Sequence, residues 1–202
     1  MEAFTKLTAV AAPLDMANID TDKIIPARFL RKLRGPGFDK LAFHDIRFNA
    51  DGSENTDFVL NQAPYRNAKI LVTAANFGCG SSREAAVYAL YDYGIRSVIA
   101  SSFGDIHYGN ELQNGMLPVI LPEATCRKLR QQLREHPGAQ INIDLDSQTV
   151  TGPDDKTYRF DIDANHKERL LKGLDDISLV MQNIEAIEAF EKKHYAELPW
   201  LV

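Results

Sequence analysis

The chain has 202 residues, enough for one domain with a sizeable core, and 45% of them are hydrophobic against 25% charged, the balance of a globular protein. The formal net charge of -5 argues against general nucleic-acid binding, which draws on a basic surface. No apolar run is long enough to cross a membrane and the first residues show no apolar leader, so the sequence reads as cytoplasmic.

In chain order, Phe4 to Ala11 reads as a first strand. Asn18 to Asp22 is turn chemistry, followed by Ile24-Ile25-Pro26. Arg28, Arg31, Lys32 and Arg34 make a local basic cluster, expected to be mobile, which Gly35-Pro36-Gly37 ends. Gly37 to Phe48 reads as a short helix and Asn49 to Asp57 as an exposed loop. Lys69 to Ala75 reads as a buried strand, Arg83 to Tyr93 as a helix closed by Gly94, and Ile95 to Ala100 as the next strand. Ser81-x-x-Glu84 and Ser102-x-x-Asp105 resemble capping boxes, the second opening a helix to about Asn110. Leu117 to Leu121 is a further strand, and a helix runs from Pro122 to about Glu135.

The last third predicts short antiparallel strands at Ile141 to Leu145, Gln148 to Thr151 and Thr157 to Ile162. Helices follow at Asn165 to Lys172 and Ile184 to about His194. Alternating strands and helices imply right-handed crossovers and a central parallel sheet, with a smaller antiparallel sheet and C-terminal helices beside it. The whole chain, 1–202, reads as a single α/β domain, its core over about 1–125 and the later strands and helices over about 126–202.

The chemistry concentrates in Asn76-Phe77-Gly78-Cys79-Gly80-Ser81-Ser82-Arg83-Glu84, between a buried strand and a helix. A glycine-rich turn at a helix start gathers backbone N–H groups and the positive end of the helix dipole. Arg83 adds a charged fork suited to a carboxylate, and two serines stand beside it. The plain alternative is that Ser81 only caps the helix.

Other readings are weaker. Gly78-x-Gly80-x-x-Arg83 lacks the third glycine of a dinucleotide fingerprint, and no acid ends the following strand. Cys79 with His107 has no supporting triad spacing; His107 and Tyr108 stand behind the site at most. Asp20-Thr21-Asp22 fits a turn better than a metal site. Cys79 and Cys126 are the only cysteines, too few for an iron–sulfur cluster or a tetrahedral zinc.

Together these residues resemble the small-subunit family of 3-isopropylmalate dehydratase, in the aconitase superfamily. The matching stretches are Asn18 to Pro26, Asn76 to Glu84, Ser102 to Ile106 with Asn110, and Asn114-Gly115-x-Leu117-Pro118. Thr157 to Phe160 and Gly173 to Ile177 match as well, so the resemblance covers nearly the whole chain in order. It implies the swivelling β/β/α three-layer domain and the interconversion of 2- and 3-isopropylmalate by dehydration and rehydration, in leucine biosynthesis. It also implies a large-subunit partner that carries a 4Fe–4S cluster, whose open iron is a Lewis acid for the departing hydroxyl, with no cofactor on this chain.

By the same resemblance Ser81 is the general base, and Gly80, Ser82 and Arg83 hold a substrate carboxylate. The loop with Ile25, Arg28, Leu30 and Arg31 chooses the substrate's side chain. Ala85 stands where family members often have histidine. No arginine precedes Arg28, which favours a substrate with an apolar branch over a tricarboxylate. The alternatives are a related hydro-lyase small subunit, acting on homoaconitate, citraconate or citramalate, or dimethylmalate, and an anion-binding module without catalysis.

Overall fold

The computed structural model of the protein describes residues 1–81, 83–198 and 200. Seven strands form one mixed sheet: β1 (Lys6–Leu14), β2 (Ile70–Thr73), β3 (Ser97–Ala100), β4 (Leu117–Ile120), β5 (Gln140–Asp144), β6 (Thr149–Thr151) and β7 (Thr157–Arg159). Their order across the sheet is β4-β3-β2-β1-β5-β6-β7. β1 to β4 run parallel and β5 to β7 antiparallel. Both expected parts of the sheet are present, and β1 joins them. Its Lys6 to Val10 half pairs with β5, and its Ala11 to Leu14 half pairs with β2.

Every residue of β2 and β3 is buried, as parallel strands covered on both faces must be. Alternation divides them between two cores. Leu71 and Val98 join Ala86, Ala89 and Leu90 of α3 (Glu84–Tyr93) and the segments around Ile24, Phe38 and Phe43. Ile70, Val72 and Ile99 face Leu112 of α4 (Asp105–Gln113) and Cys126, Leu129 and Leu133 of α5 (Glu123–Glu135). Ile99→Ala should therefore cost about 2–5 kcal/mol, since the fully enclosed site cannot collapse around the lost methyls; urea unfolding would measure it.

Most expected elements are in place with shifted ends. The first strand runs three residues further, to Leu14, because Ala11 to Leu14 find a partner in β2. The expected helix over Gly37 to Phe48 is broken instead. A 3-10 turn at Phe38–Leu41 and α2 (His44–Arg47) are separated by Phe43, whose left-handed backbone (φ 54°) no helix continues through. The turn at Asn18 to Asp22 winds into α1 (Thr21–Ile24), with Asp20 as its cap through a 2.8 Å bond from the Lys23 N–H.

The last third ends in α6 (Ala164–Lys172), α7 (Asp176–Met181) and α8 (Ile184–Glu197). α7 has no counterpart among the sequence expectations. Asp175 caps it through the Ser178 N–H at 2.7 Å. No helix among the described residues is long and apolar enough to cross a membrane.

Candidate active site

The loops that follow β1, β2 and β3 meet at the carboxyl edge of the parallel strands, where open α/β sheets place their ligands. Backbone bonds lace the three together. Asn18 N–H donates to Ala75 O at 3.0 Å, Gly78 N–H to Ile19 O at 2.7 Å, and Thr21 N–H to Cys79 O at 3.0 Å. From the other side Phe77 N–H donates to Ser102 O at 3.1 Å and Gly104 N–H to Phe77 O at 2.8 Å. Asn76 and Asn18, both left-handed, also pair through their amide side chains at 2.8 Å. The serine loop is thus clamped between its two neighbours.

The expected capping boxes do not form. α3 starts at Glu84 with Arg83 in the cap position (φ -145°, ψ 97°) and no side-chain cap bond. The Thr21 hydroxyl donates to Ser81 O at 2.8 Å, a contact across 60 residues that ties the serine loop to α1. Ser81 is exposed, and its hydroxyl does not cap α3. Ser102 is no cap either. Gly104 occupies that position in α4, and Ser102 Oγ instead accepts the Asn76 N–H at 2.9 Å.

Thr21, Gly78, Gly80, Ser81, Arg83, Gly104 and the start of α4 line a cleft of about 170 Å³. The Arg83 side chain is only 13% exposed and pairs through Nη1 with Asp22. That hydrogen bond holds the Asp22 carboxyl below the usual carboxylate range. A guanidinium has five donors, so one contact leaves the fork usable. A roomier cleft of about 560 Å³ lies among Arg47, Glu54, Arg66 and Tyr93. Three of its charged side chains are engaged structurally: Arg66 binds Glu54 at 2.7 Å, and Arg47 donates to the carbonyls of Asp39 and Ala42.

Of the residues singled out from sequence, Gly80, Ser81 and Arg83 come together in the small cleft. Ser82 lies outside the described residues. Ile25, Arg28, Leu30 and Arg31 do not line the cleft. Ile25 is corrected outright. Its N–H closes the α1 turn on Thr21 O at 2.9 Å, which sends the side chain into the core at 0% exposure. Arg28 turns to Asp45, at 2.8 Å through Nη1, and over the Phe29 ring. Arg34 forks onto Asp92 at 3.0 and 2.6 Å and lies over Tyr88. Two of the four cations expected to be mobile are therefore tied down, while Leu30 and Arg31 stay exposed. Thr21 and Asp22 are the site residues that sequence reasoning passed over. Their signal was their place inside the Asn18 to Pro26 match, but their partners are about 60 residues away.

Three family descriptions match the chain in succession. The aconitase C-terminal domain covers residues 1–124 and LeuD_N covers 127–164. The C-terminal domain of the 3-isopropylmalate dehydratase small subunit covers 176–202. The 3-isopropylmalate dehydratase small subunit of Dinoroseobacter shibae is 49% identical over 201 residues, all of both chains. That of Rhodospirillum rubrum is 50% identical over all of this chain and 97% of its own. The chain belongs to the 3-isopropylmalate dehydratase small-subunit family.

The crystal structure of 3-isopropylmalate dehydratase from Methanocaldococcus jannaschii matches the fold with a TM-score of 0.65 at 25% identity, over 92% of this chain and 99% of that one. As a member of this family the chain is a hydro-lyase small subunit of the aconitase type. Ala85, the departure from the family string, packs half-buried against the first core and leaves the cleft lining untouched.

The residues of this family member do not suit an iron–sulfur cluster. Among the described residues no group of three or more His, Cys, Asp or Glu is placed to hold a metal ion. Cys126 is sealed beneath α5, where burial pushes its thiol up to about 11, far from a ligating thiolate.

Proposed function

We propose that this chain is the small subunit of a two-chain 3-isopropylmalate dehydratase, working in leucine biosynthesis by interconverting 2- and 3-isopropylmalate through an alkene. The observation that carries this reading is the meeting of Ser81 and Arg83 in one cleft at the sheet's carboxyl edge, with Ser81 free of any capping duty.

In this reading Ser81 takes the proton from the carbon next to a carboxylate. The C–H bond breaks, an O–H bond forms on Ser81 Oγ, and the electron pair becomes the carbon–carbon double bond as the hydroxyl departs. Rehydration with the positions exchanged completes the isomerisation. A serine acts as a base only where its alkoxide is stabilised, and the Arg83 cation and the start of α3 supply positive charge beside it. Gly80, Ser82 and Arg83 hold the carboxylate in this proposal. Leu30, exposed on the loop after Pro26, with Arg28 and Arg31 beside it, meets the substrate's branch. The 4Fe–4S cluster belongs to the large subunit in the same proposal, and the complex works in the cytoplasm.

The reading is tested by assembling the chain anaerobically with a cluster-bearing large subunit and following isopropylmaleate absorbance from 3-isopropylmalate. Activity that needs both chains supports it. A stable complex active only on another hydroxy acid overturns the substrate, and failure to assemble with any large subunit overturns the subunit assignment. In the active complex Arg83→Lys should raise KM about 10- to 100-fold, the worth of one charge-assisted hydrogen bond, with a smaller change in kcat. Unchanged steady-state constants would remove Arg83 from the carboxylate site.

A further inference from the structure

A buried pair that this reaction does not use lies directly under the serine loop. His107 and Glu111, one turn apart on α4, are 2% and 0% exposed. His107 Nε2 lies 3.0 Å from Glu111 Oε1, off the line of a full hydrogen bond, and His107 Nδ1 and Glu111 Oε2 have no partner among the described residues. Burying such groups incompletely bonded is costly, and an apolar pair of the same volume is often as stable or more so. Packing alone does not explain a histidine and a glutamate here.

The location does. The imidazole meets the Phe77 ring edge-on at 5.4 Å. It lies so near Gly78 that a Cβ there would sit 2.2 Å from the ring. Gly78 is also left-handed (φ 69°), so the chain reverses directly on the imidazole face. His107 also belongs to the lining of the cleft with Gly80, Ser81 and Arg83. His107 is the floor of the turn that carries the serine.

Resting on the function proposed above, we propose that His107 is a positioning residue for Ser81: held by Glu111, its ring supports Gly78 and fixes where the serine hydroxyl meets the substrate. The charged and titratable groups around the ring are few. Glu111, Asp105 and Tyr108 stand on its own helix, Arg83 with its partner Asp22 faces it across the cleft, and Glu84 bonds Asn114 at the end of α4. Burial raises the Glu111 carboxyl, and the His107 contact only partly offsets this. The Glu111 carboxyl therefore stands, through the His107 ring, beneath the loop.

The test replaces the pair by an apolar one of similar bulk, His107→Phe with Glu111→Leu, in the full complex with the large subunit. The expected result is a kcat lower by about 10- to 100-fold, the effect of a small misplacement of a reacting group. KM should stay within about twofold, because carboxylate binding is untouched. Thermal stability should hold or rise, and a limb of the kcat–pH profile should be lost. A purely structural pair would leave kcat and its pH profile unchanged, and that result would overturn the proposal. Should the double variant fail to fold, Glu111→Gln is read in the same way.

Amide hydrogen exchange on the free full chain gives a readout apart from activity: residues 77–81 should exchange faster in the variant than in the parent. If the parent complex is inactive on 3-isopropylmalate, the proposed function fails. Exchange then decides the positioning claim by itself, faster exchange supporting it and unchanged exchange overturning it.

Discussion

Ser81→Ala, assembled with the large subunit, is expected to lose about 10²- to 10⁴-fold in kcat while keeping fold and assembly. The reason lies in how little else Ser81 does. Its carbonyl, not its side chain, takes the bond from Thr21, and that bond survives the substitution. The residue is exposed and caps no helix, so stability should change by less than about 0.5 kcal/mol. Isomerase assay and urea unfolding, run on the same preparation, separate the two effects. Near-normal turnover would remove Ser81 as the base. A large loss of stability would mean that the hydroxyl has a structural task after all.

Gly78→Ala should be strongly damaging, since of all the glycines Gly78 is the one whose added Cβ would come closest to a neighbour. The new methyl would lie 2.2 to 2.5 Å from three carbons of His107, and the backbone is in the left-handed region. The ring cannot step aside, since Phe77 and Glu111 enclose it. Left-handed strain and overpacking together cost about 2–5 kcal/mol, unless the loop moves instead and activity is lost. Since His107→Ala would keep the Cβ that lies 2.5 Å from the new methyl, the compensating pair is Gly78→Ala with His107→Gly, which makes room for it. It should recover much of the stability in a thermal melt but, if His107 positions Ser81, little of the turnover. Full recovery of both would show that the close contact matters only as packing.

Gly104 tells the same story from the other side. A Cβ there would lie 2.6 Å from the Gly78 carbonyl, so the second loop can approach the first only without a side chain. In the sequence Phe77-Gly78 and Phe103-Gly104 are two similar dipeptides 26 residues apart. In the fold they form a parallel bridge, with the two phenylalanine rings edge to face at 6.0 Å.

Much of this architecture was legible beforehand. The central strands and the helix from Pro122 to Glu135 announce themselves through local patterns: a short apolar run for a strand covered on both faces, and a stretch bounded by Pro122 and by His136-Pro137-Gly138 for the helix. The serine loop was legible because glycines, serines and an arginine crowd a strand–helix junction. On the last helix Ile184, Ile187 and Phe190 fall on one side, yet Ile184 and Ile187 are only half-buried and Phe190 is 65% exposed, and α8 buries no residue fully in this chain.

By itself, then, the sequence determined the order of strands and helices, the parallel centre, and the identity of the serine–arginine loop, all of which depend on neighbours within a few residues. Only the tertiary structure decided that Ser81 is not a cap, that Ile25 belongs to the core, that β1 joins the two halves of the sheet, and that His107 packs against Gly78. Each of these is a contest between a local preference and a contact from far along the chain. Ser81-x-x-Glu84 favours a capping box locally, but the Thr21 hydroxyl, 60 residues away, holds the Ser81 carbonyl, and Arg83 takes the cap position instead. Local propensities are worth about 1 kcal/mol each, and packing contacts of that size or larger, unreadable in a linear pattern, settle the outcome.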